Sequence, residues 1–262
     1  MPTIISVASG KGGVGKTSMA VNMSLRLQDA YGPTLLVDSD LLMANCHVLL
    51  NSQPSLDLID VLEGRYDWPE AVHILDNGLS FLAGRTAPNF LVETNNDRLT
   101  NLLTVLKSDA HGFDYIVVDT PAGSGVGVLD TLSVSDHMLI VLLGQATSFV
   151  DAYALIKSAY LDRQLTSFAA IVNIAKSAKQ ADLIFNNFSR TVTSFLPVEI
   201  SYKGHVTWMQ DIVSSSIHGG TVSGVASKAR IADKMDTILK SLLVMSPVFG
   251  TTDSIIPQAF SV

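Results

Sequence analysis

Residues 10 to 17 read Gly10-Lys11-Gly12-Gly13-Val14-Gly15-Lys16-Thr17, and this stretch decides the fold. It has the spacing G-x-x-x-x-G-K-[ST], follows the apolar run Thr3–Ala8 and precedes a helical pattern over Ser18–Ala30. Glycines let successive backbone N–H groups turn towards an anion, and the N-terminus of the following helix faces the same point. The sequence therefore predicts a phosphate-binding loop between a strand and a helix.

The motif assigns a contact to each residue of this loop. We expect Lys16 to reach the β- and γ-phosphates of a nucleoside triphosphate, the Thr17 hydroxyl to coordinate Mg²⁺, and Ser18 to contact the α-phosphate. The backbone N–H groups that surround the phosphate oxygens are those of Gly12, Gly13, Val14 and Gly15. The alternative is a glycine-rich turn that matches the pattern by chance.

Apolar runs of strand length alternate with helical patterns along the whole chain. Continuous apolar runs are typical of strands that are buried on both faces. The pattern predicts an α/β protein with a doubly wound, mostly parallel sheet and helices on both faces, in one domain over 1–243 with a C-terminal tail over 244–262. The further predicted strands are Thr34–Val37, Leu79–Ala83, Tyr115–Val118, Met138–Leu143 and Ala169–Ile174, and the further helices are Asn95–Lys107, Asp151–Leu161, Ala181–Thr193 and Ser227–Leu243.

Acidic residues follow two of these predicted strands. Asp38 and Asp40 come after Thr34–Val37, and Asp119 comes after Tyr115–Val118. The carboxyl ends of parallel strands form the edge where ligands bind, and an aspartate after an apolar strand is the Walker B arrangement that helps to hold Mg²⁺. We therefore predict a magnesium site at this edge, with ordinary acidic turns as the alternative.

An ordinary phosphate loop does not require a lysine at the position of Lys11. Two lysines beside one triphosphate would repel each other unless a second molecule contacts them as well. Lys-Gly-Gly-Val-Gly-Lys-Thr resembles the deviant Walker A loop of the MinD/ParA family of ATPases, the SIMIBI class, and the resemblance extends over about Thr3 to Leu243. It implies ATP and Mg²⁺ as ligands and a homodimer in which Lys11 reaches the nucleotide of the other subunit. It also implies that Asp38 supports Mg²⁺ through water and that Asp40 positions the attacking water. Residues 119–123, Asp-Thr-Pro-Ala-Gly, are similar to the second switch of the family.

The same resemblance places the adenine base. Asn173 matches the asparagine that reads the adenine edge, with a loop cap as the alternative, and Pro197 lies in a stretch that matches the segment lining the base. In the family, the aspartate that corresponds to Asp151 can hold the loop lysine in the nucleotide-free monomer. Because we also expect a helix to start near Asp151, we predict an ion pair between Asp151 and Lys11.

Residues 42–50, followed by 58–64, and residues 146–157 narrow the resemblance to the FlhG/FleN branch of flagellar-number regulators. It implies a dimerising switch whose slow, partner-stimulated ATP hydrolysis controls the placement or number of a cellular structure, with the polar flagellum as the first choice. The implied protein partners are a flagellar GTPase, a flagellar switch component or a transcription regulator. Three alternatives stay open: a MinD-like positioner of the division site or another polar assembly, a low-turnover nucleotide-gated regulator of a transcription factor, and an ATP-dependent ligase or kinase.

Composition excludes several other classes. Of the 262 residues 47% are hydrophobic and 16% charged, which is the opposite of a disordered chain. The single cysteine, Cys46, excludes a disulfide framework and is interpreted as a small buried apolar residue, and the six histidines have no metal-ligand spacing. No apolar run approaches the roughly 20 residues of a membrane span, and no secretory signal is visible. We therefore expect cytoplasmic localisation, with any polar position set by a protein partner.

Charge argues against two further kinds of partner. A pI near 5.2 does not favour a DNA-binding protein, which needs a basic face. The tail has no lysine or arginine and contains Pro247 and Pro257. A membrane-binding helix needs a continuous apolar face and basic residues that meet anionic lipids. We therefore expect the tail not to bind membranes directly.

Overall fold

The computed structural model describes residues 1–41, 43–86, 92–109, 112–207 and 225–244, and gives the backbone alone for 92–96 and 225–229. In this part of the chain the strands are β1 Thr3–Ala8, β2 Thr34–Asp38, β3 His73–Ile74, β4 Ser80–Leu82, β5 Tyr115–Asp119, β6 His137–Leu142, β7 Ser167–Ala175 and β8 Glu199–Thr207. The helices are α1 Lys16–Ala30, α2 Cys46–Leu49, α3 Leu58–Leu62, α4 Trp68–Ala71, α5 Val92–Asp109, α6 Val126–Val134, α7 Ala146–Arg163, α8 Ala178–Phe195 and α9 Val225–Leu243.

These strands form one sheet in the order β3-β4-β2-β5-β1-β6-β7-β8. Every neighbouring pair is parallel except β3 and β4, which are antiparallel. Strand β1 lies between β5 and β6, and the chain passes from one side of β1 to the other between those two strands. Ligands bind in open α/β sheets at such a reversal of strand order. The carboxyl end of β1 is therefore the expected position of a site.

Helices cover both faces of the sheet, because alternate residues of a strand face opposite sides. On β1, Ile5 and Val7 pack in one cluster with α1 and α9. Ile4 packs on the other face with α3 and α5, and Ala8 packs there with α6, α7 and α8. All four side chains are fully buried. The predicted doubly wound, mostly parallel sheet with helices on both faces is therefore confirmed.

The six predicted strands and five predicted helices are all present, with shifted ends. Additional elements in the described residues are β3, β8, α2, α3, α4 and α6. The edge strand β8 was missed because Lys203, Gly204 and His205 interrupt its apolar pattern, and an edge strand does not need apolar residues on both faces. None of the described helices is both long enough and apolar enough to cross a membrane. Residues 245–262 of the predicted tail lie outside the described residues.

Candidate functional site

The phosphate loop lies at the carboxyl end of β1 and leads directly into α1. Gly13 and Gly15 have φ angles of 78° and 88°, in the left-handed region that glycine adopts without strain. A Cβ added at Gly12 or Gly13 would meet no heavy atom of the described residues within 4 Å, so these residues leave the backbone open there. Helix α1 begins at Lys16, and no side chain in the described part of the chain caps its N-terminus. Its first N–H groups are therefore available to an anion held by the loop.

The start of the loop is held by its neighbours. A Cβ on Gly10 would collide with the backbone of Asp151 in α7, so only glycine fits there. The hydroxyl of Ser9 donates to the carbonyl of Lys11 at 2.9 Å, and the N–H of Gly123 donates to the carbonyl of Ser9 at 2.9 Å. These contacts hold the loop against α7 and against the segment that follows β5.

The side chain of Lys16 forms a buried ion pair with Asp119, at the end of β5. Its Nζ lies 2.7 Å from Asp119 Oδ1, and the two side chains are 7% and 1% exposed. Burial raises the pKa of Asp119, while the charge of Lys16 and hydrogen bonds from Lys16 and Thr17 act in the opposite direction. Lys16 and Thr17 are the first two residues of α1, and Ser18 follows in the same turn. The structure therefore brings the predicted phosphate and magnesium residues into one cluster.

Asp38 and Asp119 lie side by side because β2 and β5 pair them in register. Ser39 fixes the two strand ends, since its N–H and its hydroxyl both donate to the carbonyl of Asp119, at 3.0 and 2.8 Å. The Asp38 carboxylate accepts three backbone N–H groups from residues 40–46, at 3.0 to 3.3 Å. Burial, followed by the charge of Asp119, raises the pKa of Asp38 to about 7. Two buried carboxylates carry more negative charge than one lysine neutralises, so the cluster can bind a further cation.

Cys46, the first residue of α2, lies in the same cluster. Its Sγ donates to Asp119 Oδ2 at 3.6 Å, and ligand atoms of Asp38, Cys46 and Asp119 all lie within 4.8 Å of one another. Burial and the two carboxylate charges raise the pKa of this thiol well above its ordinary value. Mg²⁺ is a hard cation that prefers oxygen ligands, so the carboxylates fit it and the neutral thiol packs beside them. The predicted burial of Cys46 is confirmed, but no spacing in the sequence indicates that two carboxylates lie beside it.

Asp40 lies on the rim of the cluster, in the loop after β2. Its Oδ1 accepts the N–H of Met43 at 3.1 Å, and its side chain is partly exposed. Its charge contributes to the raised pKa values of Asp38 and Asp119. The three predicted aspartates therefore converge beside the phosphate loop, with two buried and one open to solvent.

Lys11 is exposed, and its Nζ donates to Thr147 Oγ1 at 3.3 Å. No ion pair within 4.0 Å joins Lys11 to Asp151 among the described residues, so that prediction is wrong. Helix α7 begins at Ala146, five residues before the predicted start. Thr147 therefore occupies the first turn beside the loop, and Asp151 lies in the second turn with its backbone against Gly10.

Of the two predicted adenine residues, only Asn173 lies at the phosphate loop. Its Nδ2 donates to the carbonyl of Val14 at 2.8 Å. Pro197 comes just before β8, whose first residue, Glu199, pairs with Ser167 at the start of β7. A strand rises about 3.3 Å per residue, so Ser167 and Asn173 are roughly 20 Å apart along β7. The placement of Pro197 beside the base is therefore wrong, because β8 starts at the opposite edge of the sheet and reaches the site only with its carboxyl end.

Comparisons with known proteins agree with this geometry. A family model described as an AAA domain, AAA_31, matches residues 2–159. The antiactivator FleN of Pseudomonas aeruginosa is 32% identical over 209 residues, which are 80% of this chain and 75% of FleN. The flagellum site-determining protein YlxH of Helicobacter pylori is 25% identical over 203 residues, 77% of this chain and 68% of YlxH.

The fold is also that of a solved relative. The septum site-determining protein MinD from Pyrococcus horikoshii, complexed with Mg-ADP, superposes with a TM-score of 0.73 at 21% identity, covering 90% of this chain and 94% of MinD. The sheet order, the Lys-Gly-Gly-Val-Gly-Lys-Thr loop and the paired aspartates agree with these similarities. The chain belongs to the MinD/ParA family of P-loop ATPases, near FleN.

Proposed function

We propose that the chain is a nucleotide-dependent switch that binds ATP with Mg²⁺, dimerises, and hydrolyses the ATP to return to the monomer. The observation that carries the proposal is the cluster at the carboxyl end of β1, where Lys16, Asp38 and Asp119 converge beside an open phosphate loop. Buried carboxylates that exceed the available cations favour the binding of a further cation. A phosphate loop next to such a cluster is the arrangement that Mg·ATP requires.

Lys16 has two partners in this proposal. In the structure it forms an ion pair with Asp119. When the triphosphate enters the loop, Lys16 turns to the β- and γ-phosphates, and the Asp119 carboxylate becomes free as an oxygen ligand. Asp119, Thr17 and, through water, Asp38 would hold Mg²⁺, which would neutralise charge on the phosphate oxygens. The loop N–H groups of residues 12–15 and the first turn of α1 contact the phosphates.

Asp40 is the residue that we assign to the attacking water. It is the one aspartate of the three that is partly exposed, so a water molecule can reach it. Its carboxylate accepts a hydrogen bond from that water and orients it towards the γ-phosphorus. The products are ADP and inorganic phosphate. Positioned groups of this kind contribute typically about 10²- to 10⁴-fold to a rate.

Lys11 is assigned to the nucleotide of the second subunit. It is exposed, and its one hydrogen-bond partner among the described residues is the neutral hydroxyl of Thr147. A lysine held by a hydroxyl at 3.3 Å is released more readily than one held by a carboxylate, because a neutral hydrogen bond is weaker than a charge-assisted one. Dimerisation therefore needs no buried ion pair to break at Lys11.

The cellular role that we propose is control of the number or placement of a polar flagellum, supported by the similarity to FleN and YlxH. A division-site role is the second candidate, supported by the fold of a septum site-determining MinD. Hydrolysis is proposed to be slow and stimulated by a protein partner, which could be a flagellar GTPase, a flagellar switch component or a transcription regulator. Deleting the gene in the source organism separates the two roles. A changed number of flagella with normal septa supports the first, and misplaced septa with normal flagella would replace it by the second.

The switch itself is tested by light scattering and calorimetry of the purified chain. We expect a monomer without nucleotide or with ADP and a dimer with Mg·ATP. Lys11→Ala should still bind ATP but stay monomeric, whereas Lys157→Ala, an exposed lysine of α7, should dimerise like the parent. Failure of the parent to bind ATP contradicts the nucleotide site, and normal dimerisation of Lys11→Ala contradicts the role of Lys11 between subunits.

A further inference from the structure

We propose that Asn173 is a positioning residue that braces the phosphate loop, so that its amide supports the grip on the phosphates themselves. The inference rests on the proposed nucleotide site and concerns how that site is held in shape. It predicts that Asn173 matters even for a ligand that has no base.

The main contact is a hydrogen bond between distant parts of the chain. Nδ2 of Asn173 donates to the carbonyl oxygen of Val14 at 2.8 Å, across 159 residues of sequence. Val14 lies within the phosphate loop and is only 1% exposed. A carbonyl that is satisfied from outside the loop keeps that peptide in one orientation. The neighbouring N–H groups then keep their direction towards the phosphate position.

The amide of Asn173 also packs directly on the next residue of the loop. A Cβ placed on Gly15 would overlap Asn173 Nδ2. Gly15 in addition has a φ of 88°, which disfavours any side chain. A side chain at position 15 would therefore have to displace this amide from its contact with the loop. Asn173 contacts the loop at Val14 and Gly15, near its end, whereas α7 contacts the loop at Gly10, near its start.

The end of β7 is distorted in a way that points this side chain at the loop. In the pairing with β8, Val172 is opposite His205 and Ala175 is opposite Thr207, so Asn173 and Ile174 share a single partner position. Ile174 has a φ of 57°, an unfavourable value for a β-branched residue. Bulges of this kind redirect a side chain next to a site. Strained backbone persists where the surrounding contacts require it.

The same distortion fixes the amide itself. Asn173 Oδ1 accepts the backbone N–H of Ile174 at 3.0 Å, while Nδ2 is engaged with Val14. The carboxamide therefore has one bond to its own strand and one to the loop. These two bonds connect the end of β7 to the phosphate loop.

Calorimetry with two ligands, Mg·ATP and Mg·tripolyphosphate, tests the brace. The loss of one hydrogen bond that is worth about 1 kcal/mol corresponds to about a fivefold change in affinity. We expect Asn173→Ala to bind both ligands about fivefold more weakly, by the same factor. Asn187→Ala, the same substitution at an exposed site of α8, should leave both affinities unchanged. If Asn173→Ala weakens ATP but binds tripolyphosphate like the parent, Asn173 reads the base and the brace is refuted.

Hydrogen exchange supplies a measurement that does not depend on nucleotide binding. Without ligand, the amides of residues 10–17 should exchange faster in Asn173→Ala and in Asn173→Ser than in the parent, whereas strand β5 should be unchanged. Equal exchange in the loop of parent and variants overturns the proposal, even if the parent binds no ATP. Because Ser retains a short polar side chain, it serves as the second variant if Ala lowers the folded yield. Thermal melting of each variant separates a loosened loop from a destabilised domain.

Discussion

Replacing Lys16 by methionine should destabilise the nucleotide-free protein, because Lys16 is the buried partner of Asp119. The Nζ–Oδ1 distance is 2.7 Å, and the two side chains are 7% and 1% exposed. Methionine retains most of the apolar stem and removes the charge. Breaking a buried ion pair by removing one partner costs about 3–5 kcal/mol, since the other charge stays buried and unpaired. This is a large part of the roughly 5–15 kcal/mol that stabilises a typical folded domain.

The loss of folding stability caused by Lys16→Met should depend on pH in a defined direction. Burial already raises the pKa of Asp119 in the presence of Lys16, and loss of the lysine raises that pKa further. The native state then holds a proton that the unfolded chain releases. For a group whose pKa is higher in the folded state, stability is greatest below the unfolded pKa and is lost as the pH rises through the folded pKa. Lys16→Met should therefore be least stable at alkaline pH and should regain stability on acidification.

Urea unfolding of the nucleotide-free protein, followed by circular dichroism at several pH values, measures both effects. The double variant Lys16→Met/Asp119→Asn should recover much of the lost stability, because it removes the unpaired charge. Lys179→Met, at an exposed site of α8, is the matched control and should change stability by no more than about 0.5 kcal/mol. A Lys16→Met protein as stable as the parent at pH 8, or a double variant no better than the single one, refutes the reasoning.

Three further predictions concern the aspartates and the tail. Asp40→Ala should give a long-lived ATP dimer with hydrolysis slower by about 10²- to 10⁴-fold. A phosphate-release assay measures the hydrolysis and light scattering measures the dimer. Turnover at the parental rate, or a variant that stays monomeric with ATP, contradicts the role of Asp40. Because the pKa of Asp38 is raised from an ordinary value of about 4 to about 7, the nucleotide-free parent should lose stability relative to Asp38→Asn as the pH rises from about 4 to about 7, with little further change above that; a difference independent of pH argues against a buried titrating carboxyl. The ATP-bound dimer should not sediment with anionic liposomes, since residues 244–262 carry only Asp253 as a charge; ATP-dependent sedimentation that is lost on deleting this tail shows the opposite.

Much of the fold could be predicted because its signals lie within short segments. The strand β1, the loop and the start of α1 are continuous in sequence, and each continuous apolar run corresponds to a buried strand. The signal failed at β8, where Lys203 and Gly204 interrupt the pattern. The predicted start of α7 was also five residues too late, although Ala146, Phe149 and Val150 already have the i, i+3, i+4 spacing of a helix. The placement of Pro197 and the pairing of Lys11 with Asp151 followed from the family resemblance, and the structure departs from both beside these two boundaries.

The sequence by itself determined the phosphate loop, its glycines and the aspartates at strand ends, because backbone geometry of this kind depends on adjacent residues. The tertiary structure decided which side chains meet. Cys46 lies beside Asp119 although 73 residues separate them, and Asn173 reaches Val14 across 159 residues. Such contacts depend on strand register and on the packing of helices against the sheet. Register is fixed by the whole hydrophobic core, so no local stretch of sequence contains it.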